Sequence, residues 1–368
     1  MITPYLVAIF AVLTLSVAAF ELLMPALMRR DLLFGVTVAA GRDTAAGRAI
    51  IHGYRLGVVA LTVAGGAVLT ALSAFAPAGW WTSGALVPVG VAVALLPLLP
   101  YVPAHRATRR LAAAPPAAAE AASALPTAEL RPRHYSEYVP WIWEALPLLI
   151  IAATVAYLAA NYATAPASIP IDFDANGQPT AYAAKTIASY FFIWVPLQLG
   201  VEGLLTVLAS LVAHAKALPD RADAVFRRRG LRYLYAIKAL TLVLLGGLAA
   251  WMAHAESIGH ADVAGMLSTG ILFTLVIVVL SMLVVVRTGQ GGARLAGASP
   301  VDRLNDRYWR LGVIYINRAD PAMVVERRYN FGWTLNLGNP LAWILLGAIL
   351  AAPLSIVLVI VLTYSHAG

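Results

Sequence analysis

Apolar and polar positions alternate on a long scale along this chain. Eight apolar runs, at about 4–26, 56–77, 82–104, 141–161, 187–213, 233–253, 263–286 and 339–363, are separated by polar gaps. Each run supplies the roughly 20 residues that a membrane-spanning helix needs. The pattern predicts an all-α integral membrane protein with about eight transmembrane helices. The third run carries Pro88, Pro97, Pro100 and Pro103. Proline in a span is tolerated where neighbours re-satisfy the freed carbonyls, so this helix is expected to be kinked and flanked by protein.

Two gaps carry patterns of their own. In 165–185, Ile169-Pro170-Ile171-Asp172-Phe173-Asp174 alternates with period two and Asn176-Gly177 supplies a tight turn. A small extended flap is expected there, with Ile171 and Phe173 packed down and Asp172 and Asp174 facing water or a ligand. In 302–340, Gly312–Asn317 reads as a strand, Arg318–Pro321 as a turn and Met323–Glu326 as the return strand. Tyr308, Trp309, Tyr329, Phe331 and Trp333 surround this hairpin, as rings do at headgroup level. The alternation would bury Ile314 and Ile316 and expose Tyr315. Trp309, Tyr315 and Trp333 are therefore the candidate partner-docking residues, although a hairpin that only seals the bundle is the plainer alternative.

Charge fixes the orientation. All but two of the 26 Lys and Arg residues fall in every second gap, after runs one, three, five and seven. The exceptions are Lys185, in an alternate gap, and Lys238, inside run six. Segments rich in Lys and Arg stay on the cytoplasmic side during insertion. The expected topology is N-out and C-out, with an extracytoplasmic flap and a cytoplasmic β-hairpin module. The net charge of +8 is then an insertion signal and headgroup contact, with no direct nucleic-acid partner implied. Only 12% of residues are charged and 61% are apolar, whereas charge makes up about a quarter of a soluble protein. The N-terminus lacks the basic n-region of a cleavable signal peptide. With no cysteine there is no disulfide, thiolate metal site or haem attachment.

These features divide the chain into a three-span unit (1–104), an Ala/Pro-rich cytoplasmic linker (105–140), a four-span unit (141–286) that carries the flap, an aromatic module (287–338) and a final span (339–368). Four ionisable side chains fall within or at the ends of spans: Glu21, Glu144, Glu202 and Lys238. Glu202 is deepest, where an unpaired charge costs roughly 2.5–3.5 kcal/mol, so it is expected to face the bundle interior and pair with Lys238 or stay protonated. Glu21, Glu144 and Lys238 are expected to snorkel to the inner headgroups.

The flap pattern Pro170, Asp174, Gly177, Pro179 and Lys185 resembles the extracytoplasmic loop of SdpI-like bacterial membrane proteins. Asp172 stands where that family has a histidine. The stretches Asp306–Gly312, Asn317, Asp320-Pro321 and Gly332–Asn336 are similar to a C-terminal module attached to many such proteins. Leu33-Phe34-Gly35-Val36 resembles the motif after their first span. The resemblance implies a receptor or immunity protein of the bacterial inner membrane that meets a peptide or envelope ligand and docks a cytoplasmic or membrane protein partner; Pro170, Asp172, Asp174, Asn176, Gly177 and Lys185 are the candidate flap residues for that ligand.

No catalytic, cofactor or metal motif competes with that expectation. Asp172, Asp174, Asn176 and Gly177 match the start of an EF-hand loop, but its twelfth position is Ala183. His254, Glu256, His260 and Asp262 fit no hydrolase spacing and are expected in a solvated loop. A structural or accessory subunit of a membrane complex and a transporter remain as alternatives, and an enzyme is not expected.

Overall fold

The computed structural model describes residues 3–29, 32–38, 42–75, 86–112, 142–174, 176–191, 193–215, 221–289, 294–295, 306–329, 332–349 and 351. Seven helices among them are long and apolar enough to cross a membrane, so the chain is a multi-pass helical membrane protein in contact with the lipid bilayer. Only in helices are all backbone polar groups satisfied within one segment, which explains why apolar runs of this length become helices.

Helix α1 spans Thr3–Leu27 and leads into a minimal hairpin, β1 (Leu32–Leu33) and β2 (Val36–Thr37). Its turn residues Phe34 (φ 44°) and Gly35 (φ 75°) both take the left-handed conformation of a type I′ turn. Helix α2 runs over Ala45–Phe75, two to three turns longer at its start than the apolar run. The proline-rich third span is broken into α3 (Leu86–Leu95), a 3₁₀ turn (Leu96–Leu98) and α4 (Tyr101–Ala112). Pro97 is buried at the break. Helix α4 continues to Ala112, past residue 105 where the linker was expected to start, and residues 113–141 lie outside the described set.

Helix α5 (Ile142–Tyr162) precedes the flap, β3 (Ser168–Phe173) paired antiparallel with β4 (Pro179–Ala184). A short α6 (Ile187–Phe191) then leads to α7 (Trp194–His214), α8 (Arg221–Ile258) and α9 (Val263–Thr288). The C-terminal module consists of two small hairpins, β5 (Trp309–Arg310) with β6 (Ile314–Tyr315) and β7 (Val324–Glu326) with β8 (Trp333–Leu335), followed by the short apolar helix α10 (Pro340–Ile349). The rest of the eighth apolar run lies outside the described residues, apart from Ala351.

The module differs from the single hairpin read from the sequence. β6 pairs with β5 and not with β7, and a parallel bridge between Tyr315 and Asn336 joins the two hairpins. The module also packs against the first helices. Its Tyr329 enters the hydrophobic cluster of Met24, Met28, Leu33, Phe34, Tyr54 and Tyr101.

Basic side chains close the C-termini of four helices, where unpaired carbonyls and the helix dipole attract them. Arg42 donates to Pro25 and Met28 O (2.5 and 2.7 Å) at the end of α1, and Arg227 donates to Val212 and Ala213 O at the end of α7. Arg294 donates to Val286 O (2.6 Å) near the end of α9 and to Ala26 O of α1 (3.2 Å). At the opposite end, Lys185 donates to Tyr162 and Ala165 O (3.2 and 2.6 Å), closing α5.

Candidate functional site

A buried polar cluster lies where α5, α7 and α8 meet. Lys238 is 1% exposed, and its ammonium spends each of its three protons on a separate acceptor. These are Glu144 Oε2 (2.7 Å), Glu202 Oε1 (2.7 Å) and Thr206 Oγ1 (2.8 Å). Thr206 in turn donates to Glu202 Oε1 (3.2 Å), and the Tyr235 hydroxyl donates to Glu144 Oε1. One turn towards the flap, Gln198 Nε2 donates to Thr154 Oγ1 (3.2 Å) and Leu242 O (3.1 Å). A polar string therefore runs between the three helices from Thr154 down to Tyr235. The triad thus gathers two carboxyl groups around one ammonium. Glu202 Oε2 is buried without a hydrogen-bond partner.

Glu144 and Lys238 were expected to snorkel, and the structure corrects this. They pair with each other because Tyr235 and Thr206 form a polar lining between the helices. Glu21 does not snorkel either. It is 3% exposed, and its Oε2 accepts hydrogen bonds from the hydroxyls of Tyr54 on α2 and Tyr329 of the module, themselves 3.1 Å apart. Tyr101 packs tilted against Tyr329 (centroids 4.2 Å apart), and its hydroxyl donates to Leu311 O (2.8 Å) with Phe34 O also in reach (3.1 Å). The burial of Tyr329, followed by the nearby Glu21 carboxylate, raises its phenol pKa. Helix α1 is thus latched to the module through a tyrosine-lined carboxylate.

In the flap, most of the candidate ligand residues are occupied in building the flap itself. Pairing is irregular on either side of Asp172, where a bulge shifts the register, so the expected alternation of faces is lost. Ile169, with Pro170 beside it, is the buried position, while Ile171 and Phe173 are only half-buried. The Asp172 side chain lies outside the described residues. The turn is a three-residue loop closed by a glycine, not the two-residue Asn-Gly turn expected. Gly177 N donates to Asp174 O (3.0 Å), and Asp174 Oδ1 accepts from the amides of Asn176 and Gln178 (2.7 and 2.9 Å). Gly177 (φ 77°) is buried against the α8–α9 loop: Ala261 N donates to Gly177 O (2.9 Å), and a Cβ here would sit 1.9 Å from Ala261 O. Lys185 is the α5 cap described above. Of the neighbouring cluster expected in a solvated loop, Glu256 is buried, while Asp262 caps α9 by accepting from Gly265 N (2.9 Å).

In the module, Tyr315 is fully buried, whereas Ile314 and Ile316 are each 41% exposed, the reverse of the expected faces. Its hydroxyl donates to Asp320 Oδ2 (3.1 Å) and accepts from Asn317 Nδ2 (3.0 Å), and burial pushes the phenol up to about 12. Trp309 is buried against Tyr315, and Trp333 lies on α8 over Gly230 with its ring 5.0 Å from Phe226. Asn336, which the sequence reading did not single out as a site residue, organises the module. Fully buried, it shares its two amide protons among Asn317, Asp320 and Ala322 O and accepts from Asn317 and Gly338 N, all at 2.9–3.0 Å. Tyr315→Phe removes one bridging hydroxyl and is expected to destabilise the module by about 1–2 kcal/mol. Hydrogen exchange of the amides around 315–337 measures this, and unchanged protection would show that the hydroxyl bridge is not needed.

Residues 149–195, which include the flap, match a domain of unknown function (DUF1648), and residues 318–343, which include the second hairpin of the module but not the first, match a family of unknown function (DUF5808). No curated protein and no solved structure matches the chain significantly.

Proposed function

We propose that this is a bacterial inner-membrane receptor of the immunity type, which senses or blocks an envelope ligand at the flap and presents the C-terminal module to a cytoplasmic partner. One observation carries the reading: α8 touches both. Near one end its Ala249 and Ala253 pack with Ile169 of the flap, and near the other Phe226 and Gly230 lie against Trp333 of the module. From Gly230 to Ala253 is about 35 Å of uninterrupted helix at 1.5 Å per residue. The alternation of basic gaps supports a flap outside and a module inside. The resemblance of both segments to SdpI-like proteins supports a receptor or immunity role. With Tyr315 buried, the docking face proposed for the partner moves to the exposed Leu311, Ile314 and Ile316.

Gly177→Val tests this line of contacts. The new side chain clashes with Ala261 and strains a left-handed residue, so the flap is expected to lift from the α8–α9 loop. Proteolysis of the flap should accelerate, and amide exchange in β7 and β8 should rise about tenfold, as a coupling of 1–2 kcal/mol through α8 would produce. Faster flap cleavage with unchanged exchange in the module would refute the sensing line.

A second reading, a transporter, is favoured by the buried triad and its unpartnered Glu202 Oε2. Ion or proton flux into proteoliposomes that Glu202→Gln abolishes would favour it over the receptor.

A further inference from the structure

A cleft of about 330 Å³ opens where the last turns of α4 face the first hairpin of the module. His105, Arg109 and Ala112 of α4 form one wall, Asp306, Arg307, Trp309 and Arg310 the other, and Gly35 and Gly312 lie at its base. The volume falls within the range of about 300–1,000 Å³ usual for ligand sites.

The charge in this cleft is unbalanced. Its one carboxylate, Asp306, is already engaged by Arg328 and by Thr37, whose Oγ1 donates to it at 3.0 Å. His105 Nδ1 is held by Phe34 O at 2.8 Å, and Arg307 lies over the Tyr308 ring. Among the described residues, neither Arg109 nor Arg310 has an acidic partner, and both are exposed. Two guanidinium groups on opposite walls therefore face the cleft region without a counter-ion. Guanidinium is the side-chain group best matched to phosphate oxygens, which it can bind through two parallel hydrogen bonds. Arg109 lies three residues before the end of the 25-residue span Pro88–Ala112, and at 1.5 Å per residue such a helix outruns the ~30 Å hydrocarbon core, which brings its end to the headgroups.

We propose that this cleft binds a phosphate-bearing anion, supplied in the membrane by the headgroup of an anionic phospholipid. The site is independent of any ligand at the flap and of the triad. Basic pockets between helices at a membrane surface hold anionic headgroups by this chemistry.

The full chain in neutral detergent is titrated with short-chain phosphatidylglycerol, short-chain phosphatidylcholine and inorganic phosphate, with binding followed by native mass spectrometry and calorimetry. Saturable binding of phosphatidylglycerol above phosphatidylcholine is expected. Arg109→Gln with Arg310→Gln should weaken it roughly thirtyfold, about fivefold for each charge lost. Arg109→Lys with Arg310→Lys should stay within about fivefold of the native chain. Inorganic phosphate bound as well as the lipid, and lost in the glutamine variant, would assign the site to the free anion and still support it. Equal binding of the two lipids with no phosphate binding, or glutamine variants that bind like the native chain, would overturn the proposal. The comparison of lipids on the native chain decides the matter even if a variant folds poorly.

Discussion

Lys238→Met is expected to destabilise the α5–α7–α8 bundle by about 3–5 kcal/mol, the usual cost of removing one partner from a buried ion pair. Methionine fills much of the same volume, so the loss reports charge and hydrogen bonding more than packing. Glu144 and Glu202 would then face each other without the ammonium between them. Glu202→Gln is expected to be much milder, because Lys238 keeps Glu144 and Thr206 as acceptors. Thermal or denaturant unfolding in detergent ranks the two variants. A Lys238→Met chain as stable as the native one would mean that the triad adds nothing to holding the helices together.

Asn336→Ala has the next largest expected effect, and it is local. The substitution strands three backbone carbonyls and two amides that this one carboxamide satisfies. A buried group left without its partner costs roughly 1–3 kcal/mol, and some of these five will find water once the module loosens, so a net loss of about 3 kcal/mol or more is expected. Protection of the amides at 314–326 against exchange should collapse while α7 and α8 keep theirs. If the module retains its protection, the Tyr315–Asn336 bridge and not the carboxamide holds the hairpins together.

The spans are legible in the sequence because lipid leaves so few options: a long apolar run has to become a helix. Lys238 as a partner for Glu202 is legible for the same reason, since a charge at mid-span needs an opposite charge within reach. Glu21 and Glu144 are not, because their places near helix ends suggest access to headgroups. Only the fold shows that Tyr54, Tyr329 and Tyr235, remote in sequence, close over them. Strand faces are read least well. In the flap one bulge at Asp172 breaks the alternation, and in the module strands of two or three residues leave pairing to side chains such as Asn336. The turn signals did better than the faces: Asn176-Gly177 marks a real turn, though of a different type.

Gly35 and Gly312 meet face to face, each so close to the other's backbone that a Cβ on either would fall within about 2.7 Å of it. The two hairpins that touch there are made at opposite ends of synthesis. At roughly 5–20 residues per second, Gly312 follows Gly35 by about 15–55 s. Until Tyr329 is made, Tyr54 is the one of the two hydroxyls that Glu21 can accept from. The first helices are therefore inserted long before they are finished, and their completion depends on a segment that has not yet left the ribosome. A chain cut short before Tyr329 would carry a half-satisfied carboxylate in its first span.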